Sequence, residues 1–217
     1  MNQHARILSL ALLAATAVLA GCATSRSEID LPAAPQAVAT KTPTATAYIR
    51  TVRDARVFEE APGEPRTPSL GFGGSAQATA DIKARAVGRK RNTFGKALGD
   101  ILLKDGQTAE SVIRDQLGAA LSEAGYRVAP DAAQAGPDAV PVDASITKFW
   151  TWFTPGFWAI TVSADIATDI TIGDGAAKSV VAYAEDKKQV AADGTWIDIL
   201  SLALDDYRKK AAEAFRR

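Results

Sequence analysis

The fold of this chain is decided by residues 140–172, which read VPVDASITKFWTWFTPGFWAITVSADIATDITI. After Trp158 the even positions carry apolar residues and one threonine, whereas Ser, Thr and Asp recur at the odd positions. A period of two is typical of a β-strand with one buried face. The even positions from Val140 to Ile146 are apolar in the same way. The stretch therefore predicts a hairpin of two antiparallel strands, with a bulge or bend near Ala164 because the second strand is unusually long.

The segment between the two strands, residues 149–158, is strongly aromatic and holds three of the chain's four tryptophans. Pro155 and Gly156 suit a type II turn rather than the primed turns of tight hairpins, so we expect a wide tip. Aromatic side chains are frequent at protein interfaces and at membrane surfaces. We predict a partner-binding tip, with the alternative that the same rings fold back onto the core. The candidate partner-binding residues are Trp150, Trp152, Phe153, Phe157 and Trp158.

Shorter patterns predict the other elements of a single domain over residues 46–217. Apolar residues recur at helical spacing within 107–124, where Thr108 is a candidate N-cap and Gly125 a candidate C′ residue. A second helix, capped by Asp193 or Thr195, is expected to run towards the C-terminus. The other segments with strand character are 46–58, 82–88, 97–103, 126–128 and 179–184. Two main helices on one face of a mostly antiparallel sheet predict an α+β two-layer sandwich.

A basic cluster lies between Lys83 and Lys96, and Arg89, Lys90 and Arg91 are consecutive within it. Guanidinium and ammonium groups bind phosphates and carboxylates, so these three are candidate anion-binding residues for lipopolysaccharide, a glycan carboxylate or an acidic partner. The alternative is a solvated strand edge that its cations protect from aggregation. Lys plus Arg and Asp plus Glu both total 25, so no overall charge favours nucleic acid as a partner.

Three residue types occur once each, as His4, Cys22 and Met1. If residues 1–21 are a signal peptide that is removed, the mature chain has no histidine and no free thiol. Ser-His-Asp and Cys-His catalysis, histidine-ligated zinc and an intrachain disulfide are then excluded. Carboxylate chemistry, a Ser-Lys pair and a Ca²⁺ site remain open, but none of them has a recognisable signature, so we expect no catalytic residues, no metal and no cofactor.

The N-terminal segment has the pattern of a lipoprotein signal peptide. Residues 7–20 form an apolar run, ILSLALLAATAVLA, that is shorter than the roughly 20 residues of a membrane span. The run leads into LAGC at 19–22, which resembles the lipobox of bacterial lipoproteins. That resemblance implies cleavage before Cys22, acylation of Cys22 and, because Ala23 rather than Asp follows, sorting to the periplasmic face of the outer membrane. The alternative is a plain secretory signal.

Residues 22–45 are expected to form a flexible tether behind the acylated cysteine. They are rich in Ala, Thr, Ser and Pro and have no apolar period. An extended chain of this kind rises by about 3.1 Å per residue. Such a tether would allow the domain to stand tens of ångströms from the bilayer.

Two short motifs suggest a family. One is VRDAR at 52–56, a strand ending in Asp54-x-Arg56, and the other is L-x-x-A-G-Y-x-V at 121–128. Together with the lipobox, they resemble the YajG-type family of bacterial lipoproteins over residues 46–172. The resemblance implies an envelope lipoprotein, and it carries over no catalytic or binding residue because the family has no settled activity.

These features together predict a non-enzymatic accessory or binding module of the Gram-negative cell envelope, membrane-anchored through Cys22. Its expected partner is an envelope protein, lipopolysaccharide or peptidoglycan. The alternative is a glycan-processing enzyme with Asp165 and Asp169 as its carboxylates. These residues lie about 13 Å apart along an extended strand, which exceeds both glycosidase geometries, so we interpret them as a solvated sheet face. A Ca²⁺ site that adds Asp174 lacks the required loop spacing.

Overall fold

The computed structural model describes residues 25–36, 43–92, 94, 96–189 and 192–216. The predicted signal peptide 1–21 and the predicted lipidation site Cys22 lie outside these residues. Within them the chain forms eight strands and five helices. The strands are β1 (Ser27–Ile29), β2 (Ala45–Asp54), β3 (Ala86–Arg91), β4 (Ala97–Leu103), β5 (Tyr126–Ala129), β6 (Val140–Pro155), β7 (Ile160–Ile172) and β8 (Lys178–Lys188). The helices are α1 (Gly74–Gln77), α2 (Ala80–Arg85), α3 (Ala109–Glu123), α4 (Ala132–Ala135) and α5 (Asp193–Phe215).

The described strands form one sheet that is built around β6. One edge of β6 pairs with β7, and β7 pairs with β8, in two long antiparallel ladders. The other edge of β6 is shared, because β2 pairs with its first half and β3 reaches it at Thr151. The predicted α+β two-layer sandwich is confirmed, and its longest ladders are antiparallel as expected. The sheet is nevertheless mixed, since β1–β4, β2–β5, β2–β6 and β3–β6 are parallel.

The buried guanidinium of Arg56 fills the fork where β2 leaves the edge of β6 and β3 takes its place. It forms a bidentate pair with the Asp54 carboxylate, with N···O distances of 2.8 and 2.7 Å. It also donates to the carbonyl oxygens of Ala86 in β3, at 2.6 Å, and of Phe149 in β6, at 3.1 Å. A further bond reaches the carbonyl oxygen of Lys83 in α2, at 2.8 Å. Because guanidinium has five donors in a fixed plane, one side chain can join these separate elements.

The segment around Ile82 differs from the prediction. Its alternating apolar residues predict a strand, but residues 80–85 form helix α2, and β3 begins only at Ala86. Thr79 caps the helix, since its hydroxyl accepts a hydrogen bond from the backbone N–H of Ile82. Alternation over so few residues fits one helical turn as well as a strand, so the cap decides the outcome.

Helices α3 and α5 cover one face of the sheet, as predicted. Helix α3 begins with a capping box in which Thr108 and Ser111 each accept the backbone N–H of the other. Gly125 follows the helix with a φ of 95°, the left-handed conformation expected at C′. Helix α5 has Ala192 as its N-cap, and the predicted cap Thr195 instead accepts the Ala192 N–H. Among the helices that the structure describes, none is long and apolar enough to span a membrane.

The core lies between these two helices and the sheet. Tyr207 of α5 is fully buried there, and its hydroxyl bonds the hydroxyl of Thr168 in β7 at 2.8 Å. Burial raises the pKa of Tyr207 well above its ordinary value. The even positions of β7 from Val162 to Ile170 are all buried, which confirms the predicted core face. Ser163, Asp165 and Ala167 on the other face are buried as well, so the prediction of a single buried face is wrong for the middle of β7.

Residues 27–31 belong to the folded domain and not to the predicted tether 22–45. Strand β1 pairs in parallel with the last three residues of β4. The side chains of Ile29 and Leu31 are buried in the core. The side-chain amide of Gln107 bonds both backbone polar groups of Leu31, at 3.1 and 2.8 Å. The tether prediction is therefore wrong for this segment, because two apolar residues do not reveal a strand whose partner lies far along the chain.

Candidate binding site at the hairpin tips

A register shift in β6, between Ile146 and Lys148, decides which rings of the predicted aromatic tip are buried. Before the shift the even residues of β6 face the helices, and after it the odd residue Phe149 occupies the same core. A one-residue shift moves every later side chain to the opposite face of a sheet. The structure thus places the irregularity in β6 and not near Ala164 of β7, where the sequence predicts it.

Trp150 and Trp152 lie on the face opposite the helices, under the loop that follows β2, and both are buried. The indole N–H of Trp150 donates to the carbonyl oxygen of Pro65 at 3.1 Å, and its ring meets the Phe58 ring edge-on at 6.1 Å. The Trp152 ring lies 5.8 Å from the Arg66 guanidinium. The prediction that these two tryptophans contact a partner is therefore wrong, because the loop already covers them.

Phe153 also does not belong to an exposed binding surface. Its side chain is half-buried, and its ring packs against Trp196 of α5 with 6.2 Å between centroids. Phe153 therefore belongs to the margin of the core on the helix side. The alternative that the rings fold back holds for these three of the five predicted residues.

Phe157 and Trp158 remain at the tip of the β6–β7 hairpin, with exposed fractions of 90% and 84%. Their rings meet edge-to-face, 4.8 Å apart at 87°. The turn needs glycine at position 156, because a Cβ on Gly156 would lie 2.4 Å from the carbonyl oxygen of Ala159. The last strand pair is Pro155–Ile160, so the loop has four residues and is wider than a two-residue hairpin turn, as expected.

A second hairpin tip, between β3 and β4, carries another exposed ring. Phe94 is 93% exposed. Asn92 organises the turn, because its side-chain oxygen accepts the backbone N–H groups of Phe94 and Lys96 at 3.0 and 2.9 Å. Phe94 is not among the residues predicted from the sequence, although an asparagine that opens a short turn is a recognisable signal for a hairpin.

The two tips lie at the same end of the sheet. Strand β3 runs parallel to β6, with Gly88 paired to Thr151. From that level β3 continues to the tip that carries Phe94, and β6 continues to the tip that carries Phe157 and Trp158. Since paired strands lie about 4.8 Å apart, the tips are neighbours.

The predicted anion-binding residues Arg89, Lys90 and Arg91 lie on β3, directly behind the second tip, and are half-buried. Arg89 donates to the Leu98 carbonyl at 3.4 Å and to the Ser69 hydroxyl at 3.3 Å. Burial, and then the neighbouring charge of Arg89, lowers the pKa of Arg91. Strand β3 pairs with β4 on one side, but on the β6 side only Gly88 is paired, so the alternative of a solvated strand edge also stays a prediction for Arg89, Lys90 and Arg91. Anion binding by these residues stays a prediction.

The carboxylates of the enzyme alternative do not form a pair. Asp165 is buried and not solvated as predicted, and it accepts a hydrogen bond from Arg66 at 2.6 Å with Lys148 at 3.5 Å. Asp169 is exposed. Within the described ranges, no three His, Cys, Asp or Glu side chains cluster in a way that could hold a metal ion, and this includes Asp174.

A groove of about 610 Å³ lies between residues 33–36 and helix α3. Asp115 lines it, and burial raises the pKa of that carboxyl group, while Arg114 opposes the shift. Among the described residues that line this groove, Asp115 is the one acid. An adjoining cavity of about 580 Å³ is lined by Asp115 and by Asp30, but Asp30 is exposed and its carboxylate is paired with Lys104.

No family model matches this sequence, and none of the curated proteins matches it. Several solved structures are similar to this chain, among them the following two. One is the crystal structure of an uncharacterized protein, with 13% sequence identity, a TM-score of 0.42 and coverage of 88% of this chain and 95% of that chain. The other is protein XCC0632 from Xanthomonas campestris, of family DUF330, with 7% identity, a TM-score of 0.49 and coverage of 86% and 92%. The resemblance to the YajG-type family stays a prediction.

Proposed function

We propose that this protein is a non-enzymatic, lipid-anchored accessory module of the cell envelope that binds its partner through the β6–β7 hairpin tip. The observation that carries the proposal is the exposure of Phe157 and Trp158 at that tip. Rings of this size bury about 150–250 Å² each when they are covered. Contact with a partner or with lipid would therefore be favourable.

The anchor is proposed from the sequence. The lipobox LAGC at 19–22 and the following Ala23 support acylation of Cys22 and a position at the periplasmic face of the outer membrane. The resemblance of 52–56 and 121–128 to the YajG-type lipoproteins supports the same compartment.

The buried carboxylates already have arginine partners within the fold, which favours a binding role over catalysis. Asp165 is paired with Arg66, and Asp54 is paired with Arg56, so both of these largely buried carboxylates stabilise the fold. An enzyme that used paired carboxylates would need two acids free to act in one cavity. The cavity beside α3 that Asp115 shares with Asp30 does not offer this pair, because the Asp30 carboxylate is held by Lys104.

In-cell photocrosslinking tests the binding site. A photoreactive residue replaces Phe157 in one strain and, as a matched control, the exposed Ala177 in the β7–β8 turn at the other end of the sheet. We expect a discrete protein band, a lipopolysaccharide ladder or a lipid adduct at position 157 only. Equal products, or none, at both positions with normal protein levels would contradict a binding tip.

Palmitate labelling and membrane fractionation test the anchor. The wild-type chain should incorporate labelled palmitate and sediment with the outer membrane, because Cys22 is expected to carry the lipid. The variant Cys22→Ser should lose both properties. Labelling that persists in Cys22→Ser would show that the lipobox prediction is wrong.

A further inference from the structure

We propose that the end of the sheet that bears the two hairpin tips lies against the membrane in which Cys22 is anchored, with Phe94, Phe157 and Trp158 in contact with lipid. This inference rests on the proposed lipid anchor and names the ligand of the proposed tip. Three independent features carry it: the position of the exposed rings, the point at which the chain enters the fold, and the distribution of charge.

The exposed rings concentrate at one end of the molecule. Among the described residues, the phenylalanine and tryptophan side chains that are largely exposed are Phe72, Phe94, Phe157 and Trp158. Three of these occupy the two neighbouring tips. Phe72 lies nearby, since the N–H of the preceding Gly71 donates to Asp100, which pairs with Arg89 behind the second tip. Tryptophan and phenylalanine at one end of a domain form the type of surface that seats in a bilayer interface.

The N-terminal segment enters the fold at the same end. Strand β1 runs parallel to β4 and therefore opposite to β3 and β6, so its first residues point towards the tips. Arg26, just before β1, bonds Asp100 at 3.0 Å and lies over the Phe72 ring at 4.5 Å. The described chain thus begins beside the exposed rings.

The distance along the chain brings the lipid anchor to the level of the tips. Ser27 is level with Thr151, through the pairs Ser27–Ile101, Ile101–Gly88 and Gly88–Thr151. From that level β6 reaches its tip at Pro155 after about 13 Å. The five residues from Ser27 back to Cys22 span at most about 17 Å. A bilayer that holds the acyl chains of Cys22 is therefore within reach of the aromatic tips. Because the connection from Ser27 to Cys22 is short, the domain cannot stand far from that bilayer.

Basic residues surround the tips. Lys90 and Arg91 end β3, Lys96 precedes β4, and Lys187 in β8 pairs with Thr161 at the start of β7. Cationic side chains beside exposed aromatic rings are typical of surfaces that meet anionic lipid headgroups. The charge distribution thus favours a phospholipid surface as the ligand of this end.

Tryptophan quenching by brominated lipids tests the orientation. The full-length acylated protein is reconstituted in vesicles of equal parts phosphatidylethanolamine and phosphatidylglycerol, with or without bromine on the acyl chains. Trp150, Trp152 and Trp196 are buried, so Trp158 is the ring that lipid can reach. We expect bromine-dependent loss of emission in the wild type and no such loss in Trp158→Phe. In the matched double variant Trp158→Phe/Ala177→Trp, whose tryptophan is exposed at the other end, we expect no loss either.

The outcomes separate this inference from the proposed function. Quenching at Trp158 alone supports the membrane-facing end. Absence of quenching in the wild type, or equal quenching from position 177, overturns it. If position 157 crosslinks to a protein while Trp158 is not quenched, the binding tip stands and the lipid contact falls. If position 157 gives no product and Trp158 is not quenched, both proposals fall.

Discussion

Gly88 of β3 lies directly against Thr151 of β6, where the two parallel strands meet. A Cβ on Gly88 would lie 2.7 Å from Cγ2 and 2.8 Å from the carbonyl oxygen of Thr151. Since backbone cannot give way as a flexible side chain does, only glycine allows β3 to join β6. This contact sets the two hairpin tips side by side.

The variant Gly88→Ala should destabilise the domain by about 1–3 kcal/mol, the usual range for overpacking. The matched control is Gly118→Ala in the interior of α3, where a Cβ would meet nothing within 4 Å. Alanine there should stabilise by up to about 1 kcal/mol through its higher helix propensity. Urea unfolding measures both, and equal stability of the two variants would contradict the close approach.

Arg56 should be the most sensitive charged residue of the fold. Replacing it with Leu leaves the Asp54 carboxylate and three carbonyl groups without their donor, and loss of one partner of a buried pair costs about 3–5 kcal/mol. Arg56→Lys should recover little, because an ammonium group cannot reproduce the planar donor geometry. Arg53→Ala, at an exposed position three residues earlier in β2, is the control and should leave the urea midpoint unchanged. Full recovery of stability in Arg56→Lys would contradict the role of the Arg56 guanidinium in joining β2, β3 and β6.

The aromatic stretch should divide into core and surface residues when its members are replaced. The double variant Phe157→Ser/Trp158→Ser removes exposed rings only, so stability should change by no more than about 0.5 kcal/mol. Trp150→Ala removes a buried ring and should cost about 3–5 kcal/mol. Thermal or urea unfolding measures the stability of both variants. A large loss of stability in Phe157→Ser/Trp158→Ser would mean that its rings are covered in the folded protein.

Alkaline pH should unfold the protein partly through Tyr207. Its pKa is raised by burial above the ordinary value of 10.0, so the unfolded chain ionises first as pH rises. Stability from this group is complete below pH 10 and falls above it, by about 1.4 kcal/mol per pH unit. Tyr207→Phe should be less stable at neutral pH, because it loses the bond to Thr168, but should show a shallower decline above pH 10. If the stability of Tyr207→Phe and of the wild type declined equally steeply above pH 10, this contribution of Tyr207 would be ruled out.

The N-terminal strand should contribute to stability although it precedes the predicted domain. Ile29→Ala removes a buried side chain of β1 and should cost about 2–5 kcal/mol. Pro32→Ala, at an exposed position three residues after β1, is the control and should leave stability unchanged. If Ile29→Ala also left stability unchanged in urea unfolding, residues 27–31 would be a tether after all.

Local signals account for the parts of the fold that the sequence predicts well. The alternation from Val162 to Ile170, the Thr108 cap and the left-handed Gly125 each arise from neighbours in the chain. Periodicity and capping depend on a few consecutive residues, so one sequence is enough to recognise them. Where the local pattern is short, as at Ile82, two structures fit and the prediction fails.

The candidate site could be predicted only in part. The sequence indicates the aromatic hairpin but cannot distinguish Trp150 and Trp152, which are buried, from Phe157 and Trp158, which are exposed. The register shift after Ile146 sends the first two under the loop. That loop is held by Arg66, which pairs with Asp165, 99 residues away.

The sequence by itself determined the alternating strand β7, the helices α3 and α5 that cover the sheet, and the two-layer class. These features can be recognised because apolar periodicity indicates which face of each element is buried. Only the tertiary structure decided which rings reach the surface, where Arg56 joins its strands, and that β1 brings the chain to the end with the tips. These features depend on contacts between distant segments, such as Gly88 with Thr151. No local pattern contains such a contact, since it exists only when both strands are in place.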